Sequence, residues 1–459
     1  MFAIKYTLRI NLVIVLFHAS CLAQQRQPNF IFIFTDDQQY NAFGASGNNV
    51  ILTPALDKLS GKGLLFKNAN VVFSLCSPSR AAALTGRYGS ANGVLELGSG
   101  LNEGEKTLAN YLKEKGYQTS MFGKWHLDQT PEELGFNKTV YFNANGTYYG
   151  RKIYDEDSVV YPKIHCDSYC GMKAVETLRD YASGEKPFFM FFCTQTPHMD
   201  HRHTWPAMDS TKEKYQLDRI PVPANHLDDL AGKPGYLHTV RNRAQAAKYG
   251  YPDSLAIQSH TLDYYAVLTE MDQVIGALLD EFYRLALDEN TYIIFMSDNG
   301  WMLGDHGFTS KVLPYRPSTH VPMIITGPEI NPGISEAMVL NIDVLPTVLD
   351  LAHINIPANV HGKSLQRLLF RAREDVREWF VYEGLGTYGG TKPNLTVISK
   401  EYRYIQTYKN EKLDSILFHE LYNQQNDPDE MENLADNPAF ESYVKKFAEF
   451  IENHQKSMH

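Results

Sequence analysis

Apolar residues fall along this chain in two alternating patterns. Short apolar runs over residues 29–34, 187–193, 292–296 and 323–326 predict buried strands, and the more mixed 117–122 predicts another. Between them, apolar positions recur at helical spacing. Leu268, Met271, Ile275, Leu278, Leu279 and Phe282 mark the longest such segment, a helix predicted over 255–287. Thr53-Pro54 opens another helix, closed by Gly61 and Gly63, and Gly116 ends a third over 108–115. Strand and helix in alternation predict an α/β fold: a large domain, 24–367, with a mostly parallel central sheet sandwiched by helices. The pattern changes beyond Leu365. A charge-dense stretch, 371–378, precedes short Tyr-rich strands, the acidic turn Asn426-Asp427-Pro428-Asp429 and a helix over 440–454. These predict a smaller C-terminal α+β domain, 368–459, with an antiparallel sheet.

The first residues read differently. Lys5 and Arg9 give a positive start, 12–17 an apolar run and 19–23 small residues, the composition of an export signal cleaved after Ala23. The run is too short to span a bilayer. Cys21 offers lipidation as an alternative, although His18 stands where such sites carry an aliphatic residue. No other stretch reads as a membrane helix, so the expected mature chain is soluble, in the periplasm or secreted. The 459 residues, 43% hydrophobic, suffice for a large core. A net charge of -10 argues against nucleic acid as a partner but leaves a polyanionic substrate open. Of five cysteines, Cys21 leaves with the leader, and Cys166 and Cys170 are spaced for a small disulfide. With Cys76 and Cys193 the four form neither a disulfide framework nor a zinc ribbon.

Polar residues cluster where the strands stop. Asp36-Asp37 follow the first run, Lys124-Trp125-His126 the run ending at Phe122, His198 the run ending at Cys193, and Asp298-Asn299 the run ending at Met296. Ligands bind beyond the carboxyl ends of strands in such sheets, so these segments are expected to converge. Asp36, Asp37, Asp298 and Asn299 offer only oxygen, which suits a hard cation such as calcium or magnesium. Each pair alone also fits a turn. In Cys76-Ser77-Pro78-Ser79-Arg80, Pro78 fits the first position of a helix continued by Ala81, Ala82 and Ala83 and ended by Gly86. Cys76 then lies at a helix start, where an anion is stabilised, with Arg80 one turn on. From the residues alone, Cys76 is either an activated thiolate or a buried structural cysteine.

The run Cys76-Ser77-Pro78-Ser79-Arg80, continuing through Ala81-Ala82-Ala83-Leu84-Thr85-Gly86-Arg87, resembles the signature of the type I, formylglycine-dependent sulfatases of the alkaline-phosphatase-like superfamily. Thr35-Asp36-Asp37, Gly123-Lys124-Trp125-His126, Thr196-Pro197-His198, Ser297-Asp298-Asn299-Gly300 and Lys311 follow in that family's order. Glu420-Leu421-Tyr422, Asp427-Pro428 and Glu432-Asn433-Leu434 resemble its closing segment. The resemblance implies that a maturation enzyme oxidises Cys76 to formylglycine (3-oxoalanine). It also implies one calcium ion held by Asp36, Asp37, Asp298, Asn299 and the modified Cys76. A hydroxyl of the hydrated aldehyde would attack sulfur, with calcium, Lys124 and Lys311 on the sulfate oxygens. His198 would protonate the leaving alcohol, and Arg80 and His126 would orient the diol. His126 would then take a proton from the second hydroxyl and expel sulfate. The implied activity is hydrolysis of a sulfate ester.

Substrate residues follow from neighbourhood. His201, Arg202 and His203, with Trp301 and His306 near the Asp298 loop, would join Lys124, His198 and Lys311 in binding a sulfated carbohydrate. After Lys311 many family members carry Tyr-Glu-Glu-Ser and an arginine before Val-Pro. Here Arg316 and His320 replace an acid and an arginine, which implies an altered pocket rim. Two rivals stand: a phosphomonoesterase or phosphodiesterase of the same superfold, and a non-catalytic glycan-binding relative. The first generally uses threonine or serine and two metals.

Overall fold

The computed structural model describes residues 27–371 and 375–458, so the predicted export segment, 1–23, lies outside the described residues. Four strands form the centre of a ten-stranded sheet: β1 (Asn29–Asp36), β2 (Gln118–Lys124), β3 (Phe188–Pro197) and β4 (Thr291–Ser297). They lie in the order β4-β1-β3-β2, all parallel. Lys138–Phe142 continues parallel beyond β2, and Met323–Thr326 runs antiparallel beside β4. The expected mostly parallel sheet is present.

Alternation along β1 explains how the sheet is covered. Phe30, Phe32 and Phe34 face one core layer, shared with Ala81, Ala83 and Leu84 of helix α1 (Cys76–Thr85). Ile31 and Ile33 face the other, shared with α2 (Cys166–Ala182) and α3 (Ser254–Arg284). All of these β1 side chains are fully buried, which is why the strand reads as one apolar run. The six apolar residues predicted for the long helix are buried on α3. That helix stops at Arg284 rather than 287, and Ala286 beyond it is left-handed. Four antiparallel strands (Trp379–Gly384, Asn394–Ser399, Tyr402–Tyr408, Ile416–Asn423) form the second sheet, covered by α4 (Glu441–Ser457).

Two expectations are corrected. α1 starts at Cys76, so Pro78 is its third residue rather than its first. First-turn N–H groups have no helical partner, so proline is tolerated there too. Cys166 and Cys170 are free thiols, both buried between α2 and the sheet, and form no disulfide.

Candidate active site

Strand ends supply the polar groups one at a time. Asp36 ends β1, Lys124 ends β2, His198 follows β3 and Asp298 follows β4. α1 places Cys76 among them. Its Sγ lies 3.2 Å from Asp36 Oδ1, 3.4 Å from Lys124 Nζ and 2.6 Å from Lys311 Nζ. Lys124 pairs with Asp36 and Lys311 with Asp37. Arg80, one turn along α1, donates through Nε to Asp298 Oδ2 at 3.0 Å and through Nη1 to the Lys124 carbonyl at 3.1 Å. It therefore ties α1 to two strand ends.

The acid groups also form a ligand set. One ligand atom each from Asp36, Asp37, Cys76 and Asp298 lies within 4.8 Å of all the others. Asn299 donates from Nδ2 to Asp37 Oδ1 at 2.6 Å, leaving its own Oδ1 buried. Asn299 Oδ1 and Asp37 Oδ2 have no hydrogen-bond partner among the described residues. Buried oxygens rarely stay unpaired without a reason. Here both belong to the carboxylate and carboxamide oxygens of that cluster, which suit a hard cation.

Charge is arranged unevenly. Burial would raise Asp36, yet Lys124, His198, Lys311 and Arg80 together hold it well below the carboxylate range. Burial, with the Asp36 charge adding, lifts Asp37 to about 6 and Asp298 to about 7 against their cationic partners. Burial and then Asp36 push the Cys76 thiol to about 12. Burial thus opposes the helix start at Cys76 and favours the thiol form. Burial also drives His198 down to about 3 and, with Lys124, keeps His126 well below its usual value.

Backbone strain gathers at the same place. Asp37, His126 and Val312 all have positive φ (67°, 71° and 81°), a costly conformation that persists where surrounding contacts enforce it. His126 is held on both sides: its N–H donates to Asn143 Oδ1 at 3.0 Å and its carbonyl accepts from Ser77 Oγ at 2.6 Å. Its buried Nδ1 has no partner among the described residues. His198 Nε2 lies 3.6 Å from Asp37 Oδ2. The Trp301 ring stands edge-on to His198, centroids 5.9 Å apart, with Lys311 Nζ 5.9 Å from its own centroid.

The remaining expected substrate residues make no hydrogen bond or ion pair with the cluster among the described residues. The turn carrying His201, Arg202 and His203 is exposed and folded around Asp200, whose Oδ1 accepts from Arg202 N at 2.9 Å. His306 is buried, bonded through Nδ1 to Asp228 Oδ2 at 2.6 Å. It lines a cavity of about 220 Å³ with Gln39, Tyr40, Arg316 and His320. Arg316 and His320 thus line one cavity together, whose lining includes none of Cys76, Lys124, His198 and Lys311. Sequence reasoning missed the loop 143–151, which touches both His126 and His198.

A doubly covered α/β sheet with lysines, an oxygen cluster and two histidines at its strand ends defines a hydrolase site for anionic esters. The sequence profile of the Sulfatase family matches residues 28–354, and that of the N-sulphoglucosamine sulphohydrolase C-terminal region matches 304–457. The chain belongs to the sulfatase family and is a sulfuric ester hydrolase. An N-acetylglucosamine-6-O-sulfatase of Bacteroides thetaiotaomicron is 27% identical, over 95% of this chain and 88% of that protein. Human arylsulfatase A is 30% identical, over 78% of this chain and 71% of that one. A solved structure of an enzyme with its substrate D-glucosamine-2-N,6-O-disulfate superposes with a TM-score of 0.82 at 26% identity, covering 94% of this chain and 98% of the other.

Proposed function

We propose that this sulfatase acts on a sulfated glycan or oligosaccharide, with one calcium ion on Asp36, Asp37, Asp298 and Asn299 and with Cys76 matured to formylglycine. The observation that carries the reading is the position of residue 76: inside the maturation motif and buried at the strand ends between the ammonium groups of Lys124 and Lys311. The unpaired oxygens of Asp37 and Asn299 fit the ion. Bound there, calcium supplies a Lewis acid and the hydrated formylglycine a hydroxyl nucleophile.

The other residues take their roles from where they stand. Lys124 and Lys311 hold the sulfate oxygens and neutralise charge as it develops. Trp301 walls the pocket beside Lys311. His198, on the more open side, gives its proton to the leaving alcohol, and His126 receives one from residue 76. Arg80 fixes Asp298 and the end of β2. The disulfated glucosamine bound in the solved structure and the N-acetylglucosamine in the relative's name favour a sulfated amino sugar. We assign export to 1–23, which places the enzyme in the periplasm or outside the cell. The same reading divides the mature chain into a catalytic part, 24–367, and a C-terminal part, 368–459.

The test is coexpression with a formylglycine-generating enzyme, mass spectrometry of the peptide holding residue 76, and turnover of sulfated sugars beside phosphate esters. Loss of the sulfur from Cys76, and sulfate release that exceeds phosphate release and vanishes in Cys76→Ala, are expected. An intact thiol after coexpression, or full activity in Cys76→Ala, would overturn the reading.

A further inference from the structure

The loop 143–151 joins strand Lys138–Phe142 to strand Ile153–Asp155 at the sheet edge, and it is tied down along its length. Arg151 Nη2 donates to the carbonyls of Asn143 and Ala144 at 2.9 and 2.7 Å. Gln195 Nε2 donates to the Gly146 carbonyl at 2.8 Å, and the Tyr148 hydroxyl to the His198 carbonyl at 2.6 Å.

On this loop the Asn145 carboxamide meets His198, its Nδ2 lying 2.8 Å from His198 Nε2. The other ring nitrogen, Nδ1, is 2.7 Å from the Met199 carbonyl. A carbonyl can only accept, so Nδ1 carries the proton and Nε2 is the acceptor that the Asn145 amide satisfies. Asn145 Oδ1 is buried and has no partner among the described residues. His198 is also the widest opening into the cluster: its side chain is 15% exposed, against 0% for Asp37 and 6% for Lys311. An ester whose sulfate sits between Lys124 and Lys311 then has His198 and Asn145 on the more exposed side, towards which its alcohol half extends.

We propose that Asn145 is a further substrate-contacting residue that reads the alcohol side of the scissile bond. Its Oδ1 accepts a hydroxyl of the sugar next to the sulfate ester, and its Nδ2 holds the His198 ring through Nε2 in the resting enzyme; His198 serves as acid once Nε2 has taken a proton from solvent and released that contact. The proposal rests on the sulfatase reading of the cluster above.

The experiment compares wild type, Asn145→Ala and Asn145→Asp, all matured at residue 76, on two substrates. One is glucosamine 6-sulfate, or the sugar of the panel turned over fastest. The other is 4-nitrophenyl sulfate, whose alcohol carries no hydroxyl. Asn145→Ala should lower kcat/KM on the sugar about 30-fold, chiefly through KM, and on 4-nitrophenyl sulfate by less than about threefold. Asn145→Asp, which keeps an acceptor of the same size, should recover part of the loss on the sugar. Equal losses on both substrates, or no loss on the sugar, would overturn the proposal, provided urea unfolding shows the variants fold as wild type does. A wild type inactive on both substrates would sink the sulfatase reading itself, and the proposal with it.

Discussion

Asp36 and Asp37 are chain neighbours with opposite proton preferences. Both are buried, but the cations around Asp36 outweigh that burial, whereas Asp37 bears the added repulsion of Asp36. His320 shows the same physics away from the cluster. Burial, then Arg316, hold it down to about 3, while its free value is about 6.5. The unfolded chain takes up a proton that the folded chain refuses. The stability His320 contributes is whole above about pH 6.5 and is lost as pH falls towards 3. His320→Gln keeps a donor for the Lys67 carbonyl, 2.9 Å away, but cannot titrate. Its unfolding free energy should therefore fall less than that of wild type between pH 7 and 4, followed by urea titration at each pH. Parallel profiles would refute this. At this scale Asp36, Asp37, Lys124, His126, His198 and Asp298 were readable because each follows a predicted strand, whereas Lys311 was readable only through the family resemblance. Asn145 was not: in Asn143-Ala144-Asn145-Gly146 each residue also suits a turn, and its partner is 53 residues away.

Between elements, the close approach of β2 to β3 fixes where Lys124 points. Gly123 has φ +96°, and a Cβ there would run into the Cys193 carbonyl of β3. Gly123→Ala is expected to cost about 2–4 kcal/mol of stability and to lower turnover by displacing Lys124. An unchanged urea midpoint would count against it. The strands themselves were legible in the apolar runs, but the end of β3 was not. Thr194, Gln195 and Thr196 are polar, yet they extend the strand while buried. Asp167, at the start of α2, accepts from Gln195 N at 2.8 Å, Thr196 N at 3.0 Å and Thr196 Oγ1 at 2.6 Å. A hydropathy pattern cannot register a polar strand end satisfied by a carboxylate from another helix.

At the scale of the whole molecule, the C-terminal sheet buttresses the segment that follows Lys311. The Tyr382 hydroxyl donates to the Val312 carbonyl at 2.8 Å, Arg403 Nη1 to the Pro314 carbonyl at 2.6 Å, and the Tyr315 hydroxyl to Glu420 Oε1 at 2.8 Å. Arg403 and Glu430 form an ion pair with both side chains 1% exposed. Arg403→Leu strands Glu430 as a buried charge. It should cost about 3–5 kcal/mol and depress kcat as the Lys311 segment loosens. Full turnover in a destabilised variant would show that the buttress does not reach the site. The separate C-terminal antiparallel sheet was visible in composition. The buttress was not, because its contacts join residues some 70 to 105 apart along the chain.

One feature of the site reaches back to the birth of the molecule. Cys76, Ser77, Pro78, Ser79 and Arg80 are all buried, with Cys76 1% exposed. On the maturation proposed above, an enzyme that reads those five residues to oxidise the first would have no access to them once the sheet has closed. Modification and folding would then compete in time. A chain that folded as the thiol would stay out of reach, and adding maturation enzyme to purified protein would not rescue it. The active fraction of a preparation would be set during synthesis.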